Sequence, residues 1–441
     1  MGGVLSFSNG TYNIAASMGY AKSNTLVTGY GAEFKKMSSI AEIFAVSSCS
    51  RVTFRGFKIN GNGNRYSGLR IAGGGSNTSD ILVDDIEVTG LNYTSYDGGC
   101  IKITPSGATT IKRVWVRNLY VHDCTGAAGV LASGASSYIY VTDSIFDTVV
   151  KAVVFDTGLD YGVIARNLSI YDSGIVHLED ATNVDVFDNT GLNSTQTGVT
   201  GMGAPGVGIL ADGDSDRHRI YRNTILNAGD DGIQTASEGE TGFNYVKSAA
   251  GDGYSISPHG HPYSMTGDTA VSCAGGGFMF HPSGDNLVYK GLRAIDNTNW
   301  GIRSDTCDDS TFVNPYSTGS THGFYSANGG LRTNIMGGYL GGNVNAITLA
   351  SGSTLNRVRN VLGYVTENSG TSSITSGQTT KVVAHGLATT PTRIDINFRE
   401  QGTSDYGRWW VDTIGATNFT LNVSADPGAS NLDFAWRAEV Y

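Results

Sequence analysis

The chain has 441 residues and a net charge of −10, with charged residues only 15% of the total, so it lacks the concentrated basic surface that nucleic acid requires. Gly accounts for 61 residues, about twice its usual share of ~7%, against only 8 Pro, a balance that suits turn-rich all-β structure and excludes a low-complexity linker. No run of 18 apolar residues exists to cross a membrane, and five scattered Cys without a CxxC pair form neither a disulfide framework nor a zinc motif, so they read as small buried residues.

The start, Met1-Gly2-Gly3-Val4, has no basic region and no apolar core of a leader, so no secretory signal is expected. A punctuation mark then recurs along the chain: a small residue followed at once by a large apolar one. It reads Gly68-Leu69, Cys100-Ile101, Gly129-Val130, Ala152-Val153, Gly174-Ile175, Gly208-Ile209, Gly232-Ile233, Gly253-Tyr254, Gly277-Phe278, Gly301-Ile302, Gly323-Phe324 and Ala346-Ile347. The gaps are 32, 29, 23, 22, 34, 24, 21, 24, 24, 22 and 23 residues, the mark of a stacked repeat that buries each unit on its neighbour. Between the marks lie short alternating runs bounded by Asn, Asp and Gly, such as 111–121 and 218–227, which are strand signals. Two or three strands per unit without helices predict a parallel β-helix whose coils stack ~4.8 Å apart. A leucine-rich repeat would need a Leu ladder and an Asn ladder at strict spacing, which are absent.

With these residues in view, the chain resembles the right-handed parallel β-helix proteins of the pectate-lyase-like superfamily, and among them bacteriophage tailspikes, over about residues 1–365. Gly2-Gly3-Val4-Leu5-Ser6-Phe7-Ser8-Asn9-Gly10-Thr11-Tyr12 is similar to the first coil of that family. Members normally carry a capping helix before it. None precedes it here, so another segment or a partner chain is expected over residues 1–12. The resemblance implies a polysaccharide partner, a homotrimer, and a virion-tail or extracellular setting. It implies no cofactor.

In each unit the residue after the Gly should point inward, and those two and four places after the Gly should point outward. The outward columns concentrate acids, His and aromatics between Asp212 and Tyr325. Just before the Gly, two successive units are acidic: Asp230-Asp231-Gly232 and Gly251-Asp252-Gly253. Carboxylates one coil apart push their proton affinities apart, as a general acid and its base or nucleophile require. Asp-Gly is also ordinary turn chemistry, so both readings stand. Gly229-Asp230-Asp231-Gly232-Ile233 resembles the paired-Asp motif of polygalacturonase-type hydrolases, but the neighbouring elements of that motif are missing. Asp212 is expected about one coil from the pair, and Glu238 and Glu240 in a loop able to reach back over it. Substrate-binding candidates are Gln234, Arg303, His281, Asp305, Trp300 and Tyr325, with His259 and His261 around Gly260. Tyr254 directly follows its Gly and is expected in the core. No metal set is expected.

After Glu367 the pattern changes. Residues 368–378 read as a Ser/Thr/Gly-rich linker, and 379–441 as a small β-sandwich with a capping or oligomerising role. Its Trp409, Trp410 and Trp436 read as core packing or as a sugar-stacking platform. The expected activity is endo-hydrolysis of a bacterial surface or environmental polysaccharide. A lyase or epimerase using Arg303 or a His, and a non-catalytic adhesin, are the alternatives.

Overall fold

The computed structural model describes the chain except residues 1, 21, 39, 93–97, 196–205, 237, 258–261, 282–286, 306, 328–331, 351, 353–354, 400–406 and 441. Every coil contributes parallel strands to a solenoid. The first face is a 14-stranded sheet running from Met18–Tyr20 to Asn345–Leu349, and it holds the large residue of every small-large mark from Gly68 onward except Ile175. The second and third faces form one continuous 25-stranded sheet. Ser136–Thr142, Leu159–Ala165 and Thr182–Phe187 lie on the second face, and Ile145–Val149, Leu168–Ile170 and Thr190–Leu192 on the third.

Alternation explains the core. Leu69, Ile101, Val130, Val153, Ile209, Ile233, Tyr254, Phe278, Ile302 and Phe324 stack in register and are fully buried. Tyr254 lies in the core as expected, its hydroxyl donating to the Asn244 carbonyl (2.9 Å). All five Cys are buried, and none of them forms a disulfide among the described residues. The recurring Gly has a steric cause. A Cβ on Gly232 would lie 2.2 Å from Val246 Cγ1 and 2.6 Å from the Gly253 carbonyl oxygen of the next coil. Gly208, Gly253, Gly277 and Gly323 meet the same obstacle, a next-coil carbonyl at 2.5–2.7 Å.

One mark is misplaced by the sequence reading. The stacked residue between Val153 and Ile209 is Val176, not Ile175. A one-residue slip exchanges inward for outward positions, so the outward residues of that coil are His177 and Glu179 rather than Val176 and Leu178.

An asparagine ladder does run through the solenoid, inside the turn between the second and third faces. Asn167, Asn189, Asn223 and Asn244 each donate from Nδ2 to the next member's Oδ1, and the series ends on Asp268. The steps are 22, 34, 21 and 24 residues. Loops of unequal length elsewhere in the coils hide this ladder from a search for strict spacing.

Beyond the last coil, two three-stranded antiparallel sheets face each other around Ile374, Phe419, Leu421, Phe434 and Trp436. The stretch expected as a linker supplies one of their strands. Glu367–Ile374 pairs along its whole length with Leu432–Glu439, because a Ser/Thr-rich segment alternates well enough to cover a sandwich edge. Trp436 is core, whereas Trp409 and Trp410 are 45% and 46% exposed.

Candidate active site

The first face widens its chemistry where the turns before its strands are acidic. Asp231 precedes strand Ile233–Thr235, and Asp252 precedes the next strand, Tyr254–Ile256. The Asp252 amide donates to Asp231 Oδ1 at 2.7 Å. Burial pushes the Asp231 carboxyl up to about 7, helped by the charges of Asp252 and Asp230, while hydrogen bonds from the Asp252 amide and Ser255 pull against it. Burial likewise raises Asp252 to about 6, with the Gly276 amide and the Arg303 charge holding it down and Asp230 pushing it up. Asp252 Oδ1 is buried without a hydrogen-bond partner among the described residues. Asp230 is the exposed member of the trio. Two carboxyls on successive coils therefore titrate near neutrality, the one nearer Arg303 ionising first.

The predicted binding residues continue upward from this pair. Ser255, which the sequence reading did not single out as a site residue, lies beside Asp231 and hydrogen-bonds His281 Nε2 at 3.1 Å. Burial lowers the His281 proton affinity, partly offset by Asp305. Arg303 grips Asp305 through two donors at 3.1 and 2.7 Å. Its guanidinium lies 4.6 Å from the Trp300 ring centroid and 5.8 Å from that of Tyr325. His322 stacks on Tyr325 at 5.1 Å. Trp300 fits because residue 276 is Gly: a Cβ there would sit 2.1 Å from the indole nitrogen. Gln234 pairs in register with Ser255 and extends the same outward column. Asp231, Asp252, Gln234, His281, Arg303, Asp305, Trp300 and Tyr325 thus share one face. His259 and His261 lie outside the described residues.

Three predicted residues stand apart from the carboxylate pair. Asp212 ends strand Ile209–Asp212, whereas Asp231 precedes its strand, so the two stand at opposite edges of the face, about 16 Å apart along the strand direction at ~3.3 Å per residue. Asp212 instead pairs in register with Glu179 and accepts from His177 Nε2 at 3.0 Å. His177 is buried, and so are Lys151 and Asp172. Burial lowers Lys151 to about 8 and raises Asp172 to about 7, each opposed by the other's charge. His177 and Glu179 escaped the sequence reading through the one-residue slip at Ile175. Taking Val176 as the stacked residue gives gaps of 23 and 33, closer to the period than 22 and 34, and was the available signal.

Glu238 and Glu240 do not reach the carboxylate pair. Glu240 lies in strand Gly239–Gly242 of the second face, opposite Arg219 and interacting with Tyr221. Glu238 shares a surface cleft with Arg217, Arg219 and Tyr263. Only three residues separate Thr235 from Gly239, where the strand of the second face begins. Among the described residues no group of His, Cys, Asp and Glu forms a metal-ligand set.

No protein-family model matches the sequence, and no curated protein matches it. Solved structures share its architecture. A double-mutant tailspike of E. coli bacteriophage HK620, in complex with a pentasaccharide, is 10% identical, with 100% of this chain and 87% of that chain covered and a TM-score of 0.51. Another mutant tailspike of the same phage gives 10% identity, 100% and 86% coverage, and a TM-score of 0.50. A GH136 lacto-N-biosidase from Eubacterium ramulus is 11% identical over 66% of this chain and 62% of that chain, with a TM-score of 0.47. At such identities the likeness concerns the fold: this chain is a parallel β-solenoid built like the phage tailspike.

Proposed function

We propose that the protein is a glycoside hydrolase that cleaves a polysaccharide in the groove above Asp231 and Asp252. The observation that carries this reading is the pair of half-buried carboxyls on successive coils, poised at about 7 and about 6. Asp231, the more readily protonated, serves as general acid to the leaving oxygen. Asp252, whose charge Arg303 favours, serves as base or nucleophile. Trp300 and Tyr325 offer ring surface to a sugar. Arg303 orients it; the Nε/Nη2 edge of its guanidinium is held by Asp305, leaving the other edge to the sugar, which suits positioning better than proton abstraction. The tailspike-like fold supports a virion-tail or extracellular setting and a trimer, which light scattering of the purified chain tests.

The deciding experiment is a polysaccharide panel scored for new reducing ends and for ultraviolet absorbance together. Reducing ends without absorbance, abolished by Asp231→Asn and by Asp252→Asn, are expected. Absorbing products would move the assignment to a lyase. Silence across the panel, with binding that survives both substitutions, would move it to an adhesin.

A further inference from the structure

Many of the outward arginines of this solenoid are neutralised by an acid. Arg113, Arg166, Arg219, Arg222 and Arg332 each grip an aspartate of a neighbouring coil, with closest contacts of 2.5–2.8 Å. The end of the second face carries two arginines without such a partner among the described residues. Arg357 and Arg359 lie two apart on strand Leu355–Arg359 and so project to the same side, outward, while Val358 between them packs on the core. Neither has an acidic partner among the described residues. Both line a cleft of about 470 Å³ where the last coil meets the C-terminal sandwich. The opposite wall is the outer surface of the sheet carrying Arg393, Arg437, Glu367 and Glu439. There Arg437 bridges Glu367 (2.6 Å) and the nearly buried Glu439, and Arg393 is held by Asp395 (3.0 Å). The sandwich wall is thus internally compensated, and the solenoid wall presents two exposed guanidiniums without an acidic partner to a polar cleft that opens to solvent.

We propose that this cleft binds an oxyanion through Arg357 and Arg359, the carboxylate or sulfate of an acidic saccharide unit or a free oxyanion of the same shape. The planar donor fork of a guanidinium matches paired oxygens, and a partly enclosed site strengthens such charge-assisted bonds. The chain as a whole carries −10, so this local excess of positive charge is not a general property of its surface. The site is separate from the carboxylate groove and does not depend on its being catalytic.

The test is calorimetric titration of the full chain with D-glucuronate and, separately, with inorganic sulfate. Wild-type protein, the double variant Arg357→Ala/Arg359→Ala, and Arg222→Ala as a control that removes a paired arginine are compared, with circular dichroism confirming the fold. Binding that weakens as NaCl rises and falls at least tenfold in the double variant but not in the control is expected. Glucuronate binding more tightly than sulfate assigns the ligand to an acidic sugar; equal or tighter sulfate assigns it to a free oxyanion. If neither probe binds, or the double variant binds as well as wild type, the proposal is wrong.

Discussion

Asp268 closes the asparagine ladder with a carboxylate where an amide would continue it. It is fully buried, and its Oδ1 accepts from the Asn244 amide nitrogen and side-chain Nδ2 (both 2.9 Å) while Oδ2 accepts from the Thr241 hydroxyl (2.9 Å). Burial outweighs these bonds and pushes the carboxyl up to about 7 from its ordinary 3.8. The folded state therefore holds a proton that the unfolded state releases between these values. Because the folded-state value is raised, the associated stability is complete below about pH 4 and is lost as pH rises through 7. Across that window the loss reaches about 4 kcal/mol at 1.36 kcal/mol per pH unit. Asp268→Asn keeps the Oδ1 acceptor and offers Nδ2 to the Thr241 hydroxyl, which can turn to accept. The variant should match wild type near pH 4 and exceed it at pH 8. Long solenoids need not unfold in one step, so hydrogen exchange of the Asn244 and Thr269 amides should accompany the thermal midpoint. Equal wild-type protection of these amides at pH 5 and pH 8, or a less protected variant at pH 8, would refute the argument.

Other predictions follow the same geometry. Hydrolysis should show a bell-shaped pH dependence with limbs near 6 and 7, set by Asp252 and Asp231, and a profile flat from pH 5 to 9 would exclude them as the acid–base pair. Asp212→Asn should leave turnover within about threefold while Asp231→Asn lowers it by about 10² or more, since the two stand at opposite edges of the face; kinetics on one substrate compares them. Trp300→Ala should raise KM about tenfold, as expected from losing about 1.4 kcal/mol of stacking, with kcat less affected. Gly232→Ala should destabilise by about 1–3 kcal/mol, because its Cβ would lie 2.2 Å from Val246 Cγ1 in a packed core, and a denaturant midpoint equal to wild type would contradict that clash.

Much of the site was legible because it lies within single coils. The acidic turns at Asp231 and Asp252 and the outward positions of Arg303, Asp305 and Tyr325 all follow from local alternation counted from a Gly. The failures involve something that local counting does not contain. Glu240 belongs to another face because a strand of the second face begins at Gly239, only four residues after Thr235, and nothing in the local alternation separates the two strands. His177 and Glu179 were lost because two apolar residues, Ile175 and Val176, follow Gly174, and only pairing with Val153 and Ile209 selects the second. Ser255 looked like filler until His281 and Asp231 were found beside it.

The repeat, the parallel β-solenoid, the inward column and the C-terminal sandwich were determined by the sequence alone. Each follows from short-range alternation and from a steric demand for a small residue, usually Gly, that recurs in most coils. The tertiary structure decided which residues of different coils become neighbours. Those contacts join positions 21 to 35 residues apart across loops of unequal length, so a shift of one residue in any coil changes the partners of every outward side chain. It also decided how each carboxyl titrates, because burial by neighbouring coils, rather than the identity of Asp231, Asp252 or Asp268, raises their proton affinity.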